Sequence, residues 1–90
     1  MDIVYHKSFK KQYEKLSEKV KEDFVKKLKL FEVDPFNPTL NNHKLHGELK
    51  NARSINISGD IRAIYEELEE LNENSIVLFF MIGNHNNLYK

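Results

Sequence analysis

No cysteine occurs in this chain of 90 residues, which excludes disulfides and thiolate metal sites and suits a reducing compartment. Neither sign of charge is in excess: Lys+Arg and Asp+Glu stand at 14 each, so the total gives no pointer to nucleic acid. Long apolar runs are missing too. MDIVYHKSFKK lacks the apolar stretch of a signal peptide, and the longest run, Ile76–Ile82, is too short to span a bilayer. There are no repeats and no low-complexity segments. What remains is the pattern of a soluble, cytoplasmic protein with one domain, residues 1–90. Its 40% hydrophobic and 11% aromatic residues suffice for a small core. A domain this short buries little more than about 60% of its unfolded surface, so that core must be compact.

Charge is unevenly spread. Nine lysines face four acids between Lys7 and Lys29, whereas five acids and no base lie between Glu66 and Glu73. Such asymmetry orients a partner even at zero net charge, and it equally describes solvated helix faces and a charged hairpin tip.

Asp2–His6 (DIVYH) reads as a first strand, and Ser8 as a candidate N-cap. Phe9, Tyr13 and Leu16 then recur at helical spacing; from Ser17 a second pattern aligns Val20, Phe24, Leu28 and Phe31. Two antiparallel helices or one bent helix both fit. Asp34-Pro35-Phe36-Asn37-Pro38 ends the helical region, because proline cannot continue it and pushes the residue before it out of the α region. Ala52–Ser58 (ARSINIS) alternates as a half-buried strand, Ser58-Gly59-Asp60 is a hairpin turn, and Ile61–Leu68 returns as its partner. Leu71–Ser75 is a second turn, and Ile76–Ile82 (IVLFFMI) is a strand covered on both faces. The order predicts an α+β domain of two layers: an N-terminal strand and two helices on a mostly antiparallel sheet of about four strands, with the other face open.

Chemistry-bearing residues cluster in residues 43–65, HKLHGELKNARSINISGDIRAIY. Alternation puts Arg53, Ile55 and Ile57 on one face of their strand and Ser54, Asn56 and Ser58 on the other; Asp60, Arg62 and Ile64 share a face of the next. Arg62 interrupts an apolar run, so its charge must reach an edge, a ligand or a partner such as Asp60. His43 and His46 precede Gly47, and His85 follows Gly83. Their spacing is not that of a helix-borne zinc motif and no cysteine supports one, so no metal and no cofactor is expected. Histidines that move protons, with arginines that hold phosphate oxygens, form instead a kit for cutting RNA through attack of the ribose 2′-OH.

The run H-K-L-x-G-x-L-x-x-x-R-S-x-N-I-x-G-D-x-R-x-I-Y and the terminal I-G-N-H-x-x-L-Y resemble the RelE superfamily of bacterial toxins, closest to its YafQ-like branch. The likeness extends through F-K-K-Q-Y-E-K-L and D-P-x-N-P-x-L, so it covers essentially the whole chain. It implies a curved sheet with helices on one side, and a ribosome-dependent endoribonuclease that cuts mRNA and is held inactive by a cognate antitoxin. Position by position, it implies that His85 protonates the leaving 5′-oxygen and that His43 or Asp60 is the base or orients the 2′-OH. Arg62 would stand at the scissile phosphate. Tyr89 would stack on a base, and Arg53 is a phosphate contact or structural. His46 and Asn56 complete the expected substrate contacts. Asn56 stands where the branch often has a histidine, and Ile61 where an aromatic often follows the aspartate. One acid/base group is thereby absent, which keeps two alternatives open: a ParE-like toxin acting through protein contacts, and an inert scaffold that binds an antitoxin.

Overall fold

The computed structural model describes residues 1–71, 74–84 and 88, with the backbone alone at 69–71 and 74. Strand β1 (Asp2–Tyr5) leads into helices α1 (Lys7–Glu14) and α2 (Glu18–Val33). Four strands follow: β2 (His43–Lys44), β3 (Ala52–Ser58), β4 (Ile61–Leu71) and β5 (Asn74–Asn84). They form one sheet in the order β1-β5-β4-β3-β2, with β1 parallel to β5 and the other neighbours antiparallel. The sheet thus has five strands rather than about four. The additional strand, β2, is two residues long and shows no alternation of its own; it exists through its pairing with Arg53 and Ser54.

The helices break at Ser17, whose Oγ accepts a hydrogen bond from the Val20 amide at 3.2 Å and so caps α2. The cap of α1 is His6 rather than Ser8: its Nδ1 accepts from the Ser8 amide at 3.1 Å. Ser8 has another task. Strand β1 ends at Tyr5, so β5 loses its neighbour beyond Phe79. The edge is completed by side chains of α1, with Ser8 Oγ donating to the Phe80 carbonyl at 2.8 Å and Gln12 Oε1 accepting from the Ile82 amide at 2.9 Å.

The helical stripes bury themselves on one face of the sheet. Phe9, Phe24, Phe31 and Leu40 pack with Ile55, Ile57, Ala63, Tyr65, Val77, Phe79 and Ile82. Phe79 is the hub, with five rings at centroid distances from 5.5 to 6.1 Å. The opposite face, expected to be open, carries a second cluster. Ala52, Ile64 and Leu88 are buried there, with Leu45, Leu49, Phe80 and Met81 against them. Leu45 and Leu49, ahead of β3, and Leu88 supply this cover. The turn expected over Leu71–Ser75 includes positions 72 and 73, which lie outside the described residues.

Candidate functional site

The β3–β4 hairpin is built for a tight reversal. Ser58 pairs with Ile61, leaving Gly59 and Asp60 as the loop, and Gly59 takes φ +51°, a conformation costly for a residue with a Cβ. A register shift between Asn56 and Ser58 leaves Ile57 unpaired, and its carbonyl accepts from Lys27 Nζ at 3.3 Å.

Register then assembles the polar residues. On the face away from the helices, His43, Ser54, Ile64 and Met81 stand in one row across four strands. Asn56, Arg62 and Gly83 form the next row. Gly83 matters here because a Cβ would come within 3.6 Å of Leu88 Cδ2; Leu88 therefore lies over the strand beside Arg62. Three buried polar atoms in these rows have no hydrogen-bond partner among the described residues: Ser54 Oγ, Asn56 Oδ1 and Arg62 Nη1. Ser54 is fully buried, at 0% exposure. Each such orphan costs about 1–3 kcal/mol, more where charged. Their chemistry is complementary to a phosphate (a guanidinium N–H), a sugar hydroxyl (an amide oxygen) and either one (a serine hydroxyl).

His43 lies at the exposed edge of this face. Its Nδ1 is 2.8 Å from the Asn41 carbonyl. A carbonyl only accepts, so the neutral ring carries its proton on Nδ1 and keeps the Nε2 lone pair available as a base. Asn41 presents that carbonyl from a left-handed conformation, φ 45° and ψ 49°. Asp60 sits exposed at the hairpin tip, and among the described residues it forms no ion pair with Arg62. His46 is exposed at the cap position of the turn Gly47–Leu49 and makes no capping bond with its side chain.

Arg53 is placed elsewhere. It pairs with Tyr65, whose ring is in the helix-side core, so alternation puts it on the face opposite Arg62. There its Nε donates to Asn42 Oδ1 at 2.7 Å and its guanidinium carbon lies 5.1 Å from the centre of the Phe36 ring. The two arginines therefore do not converge. His85 and Tyr89 lie outside the described residues. Among the described residues no three His, Asp or Glu side chains come together to hold a metal ion. Ser54 was not singled out from the sequence, although it stands in the polar phase of ARSINIS beside Asn56. The tautomer set on His43 by Asn41 has no signature in the sequence.

Comparison with solved structures finds the same fold in several bacterial toxins. The YoeB/ParE toxin from Agrobacterium tumefaciens superposes with a TM-score of 0.77 at 17% identity, over 94% of this chain and 99% of that one. YafQ from E. coli strain BL21(DE3) gives 0.72 at 23% identity, over 99% of this chain and 98% of that one. The toxin–antitoxin complex DinJ–YafQ of E. coli gives 0.70 at 24%, over 99% of this chain and 97% of that one. Curated proteins give no match. A family model described as "Bacterial toxin of type II toxin-antitoxin system, YafQ" matches residues 1–90. The chain belongs to the YafQ family of toxins of type II toxin–antitoxin systems.

Proposed function

We propose that this toxin cuts mRNA on the ribosome in the cytoplasm, by acid/base attack of a ribose 2′-OH without a metal. The observation that carries the reading is Asn56 and Arg62, paired across β3 and β4 on one face, each with a polar atom that has no hydrogen-bond partner among the described residues, beside a histidine whose Nε2 is free to accept a proton. His43 Nε2 takes the 2′-OH proton, and O2′ bonds to phosphorus while the P–O5′ bond breaks. His85 returns a proton to O5′. The products are a 2′,3′-cyclic phosphate and a 5′-hydroxyl, so atoms and charge balance. Arg62 neutralises the charge that grows on the phosphoryl oxygens; Asn56 holds the sugar. Asp60, at the hairpin tip, orients the 2′-OH, His46 contacts the RNA chain, and Tyr89 stacks on a base.

A cognate antitoxin keeps the toxin silent, as the family membership and the E. coli DinJ–YafQ complex support. The lysine-rich helices favour acidic residues on that partner.

Primer extension on a reporter mRNA translated with ribosomes tests the reading. Wild type is expected to give discrete cleavage ends, and His85→Ala and Arg62→Ala to lose them and to relieve growth arrest. The replacement of a family histidine by Asn56, and the fold shared with the YoeB/ParE toxin from Agrobacterium tumefaciens, favour one second reading: a non-nuclease toxin acting through protein contacts. Arrested cells with intact mRNA and an induced DNA-damage response would establish that reading instead.

A further inference from the structure

On the helix-side face, at the end of the sheet where β2 is the edge strand, lies a hollow of about 260 Å³. Its lining includes Phe36, Lys44, Lys50, Arg53 and Glu67. Lys44 stands directly opposite Arg53 across β2 and β3, and Arg53 is fixed by Asn42 with its guanidinium against the Phe36 ring. Phe36 is 63% exposed, which is unusual for phenylalanine; its packing against Arg53 leaves ring surface facing solvent. Among the described residues neither lysine nor Arg53 has a carboxylate within ion-pair distance, although Glu67 borders the same hollow. Three cations against one acid, with an exposed aromatic between them, is the composition of a site for single-stranded nucleic acid: a base stacks on the ring while phosphates meet the cations. The volume falls below the roughly 300–1,000 Å³ of small-molecule pockets. A hollow of this size suits part of a nucleotide rather than a whole small-molecule ligand.

We infer that Phe36, Lys44, Lys50 and Arg53 form a second RNA contact, which binds a nucleotide flanking the one that is cut. The inference rests on the RNA-cutting reading, because edge strand β2 joins the two places. His43 and Lys44 are adjacent residues pointing to opposite faces, so an RNA strand that rounds this edge touches His43 on one side and the hollow on the other. Arg53, separated from Arg62 by alternation, is then a phosphate ligand for a different nucleotide.

The test uses a short, fluorescein-labelled 2′-O-methyl RNA, which has no 2′-OH to attack, and reads its anisotropy against the full chain as salt is raised. Phe36→Ala is expected to weaken binding about ten-fold, whereas Phe36→Tyr retains it. The double variant Lys44→Ala/Lys50→Ala is expected to flatten the slope of log K against log salt by about 1.4, at about 0.7 per phosphate contact in a single strand. Both substitutions are at the surface, and thermal unfolding checks that the core is intact. Absence of binding by the wild type, or affinity and slope untouched by these variants, overturns the inference. So does a result in which the same variants lose a co-encoded protein partner but keep the RNA. The ribosomal reporter assay separates this from the cleavage reading. Should Arg62→Ala abolish cleavage while the hollow variants bind RNA normally, the second contact falls and the nuclease stands. Should the hollow bind RNA while ribosomal mRNA stays intact, the contact stands and the nuclease falls.

Discussion

A guanidinium nitrogen sealed from water without an acceptor is costlier than a neutral donor in the same place, because charge amplifies the loss of hydration. Arg62 Nη1 is such an atom, and Asn56, directly across the ladder, leaves its own Oδ1 unpaired beside it. Stability selection alone would place an apolar residue at position 62. On the proposed mechanism that cost is preorganisation, in which a partly desolvated cation is aimed at a phosphate. Arg62→Met, which keeps the volume and discards the charge, should therefore separate the two roles. Ribosomal cleavage should fall by about 10²–10³-fold, by analogy with the loss of one donor to a developing oxyanion. The folded state should gain about 1 kcal/mol, or about 5 °C in melting temperature. Cleavage kinetics and a thermal melt on the same preparation read both. A variant that is inactive and also less stable would show that Arg62 is a structural residue. Its isolation in an apolar run made Arg62 conspicuous in the sequence. The opposite facing of Arg53 was not legible: alternation sorts faces within one strand, and only the register of β3 against β4 shows that Arg53 and Arg62 diverge.

At the scale of elements, local chemistry decides two reversals. Ser17 closes α1 off from α2 by accepting the Val20 amide, so Ser17→Ala should cost about 1 kcal/mol, read from a urea midpoint. Gly59 turns the hairpin at φ +51° with open space where a Cβ would go, so Gly59→Ala should cost a similar amount through backbone strain alone. Gly59→Asn should recover part of it, since asparagine tolerates that region. The sequence at Ser17 fitted two helices or one bent helix equally, whereas the hairpin was legible because it is written in the adjacent residues Ser58-Gly59-Asp60. The elements that were not legible lack that property. Strand β2 is defined by partners nine and eleven residues further on, and the parallel pairing of β1 with β5 joins Asp2 to Ile76. Ser8 was read as a cap because serine commonly is one, yet a short β1 leaves the Phe80 carbonyl in need of a donor and Ser8 meets that demand. The second cluster over the far face draws on Leu45, Leu49 and Leu88, whose spacing follows no strand or helix period.

The whole molecule responds to pH through its aromatic core. Burial raises the Tyr65 phenol above its ordinary 10.0, against the donation from Asn42 and the nearby Arg53, which pull it down. Burial likewise raises Tyr5, with Glu32 and Tyr13 adding to it. A phenol whose folded value exceeds its unfolded one contributes its stabilisation in full below pH 10.0 and loses it as pH rises through the folded value. Lys19, raised by its hydrogen bond to Asp23, acts in the same direction above 10.5. Asp23 has the opposite sign. The bonds from Lys19 and Ser58 lower its carboxyl below 3.8, so its contribution holds above that pH and fades as pH falls through the folded value. That pair is at the surface and screened by solvent, whereas both tyrosine rings contact Phe79 at the hub of the core. The alkaline limb should accordingly be the steeper one. Tyr65→Phe keeps the ring and removes the proton, and Asn42 retains its bond to the Pro35 carbonyl at 2.9 Å. Urea midpoints followed by circular dichroism across pH should show the variant weaker by about 1 kcal/mol below pH 10.0, from one lost hydrogen bond, yet falling off later than wild type above it. Parallel curves for the two proteins through the alkaline range would mean that this phenol is not what the core surrenders at high pH.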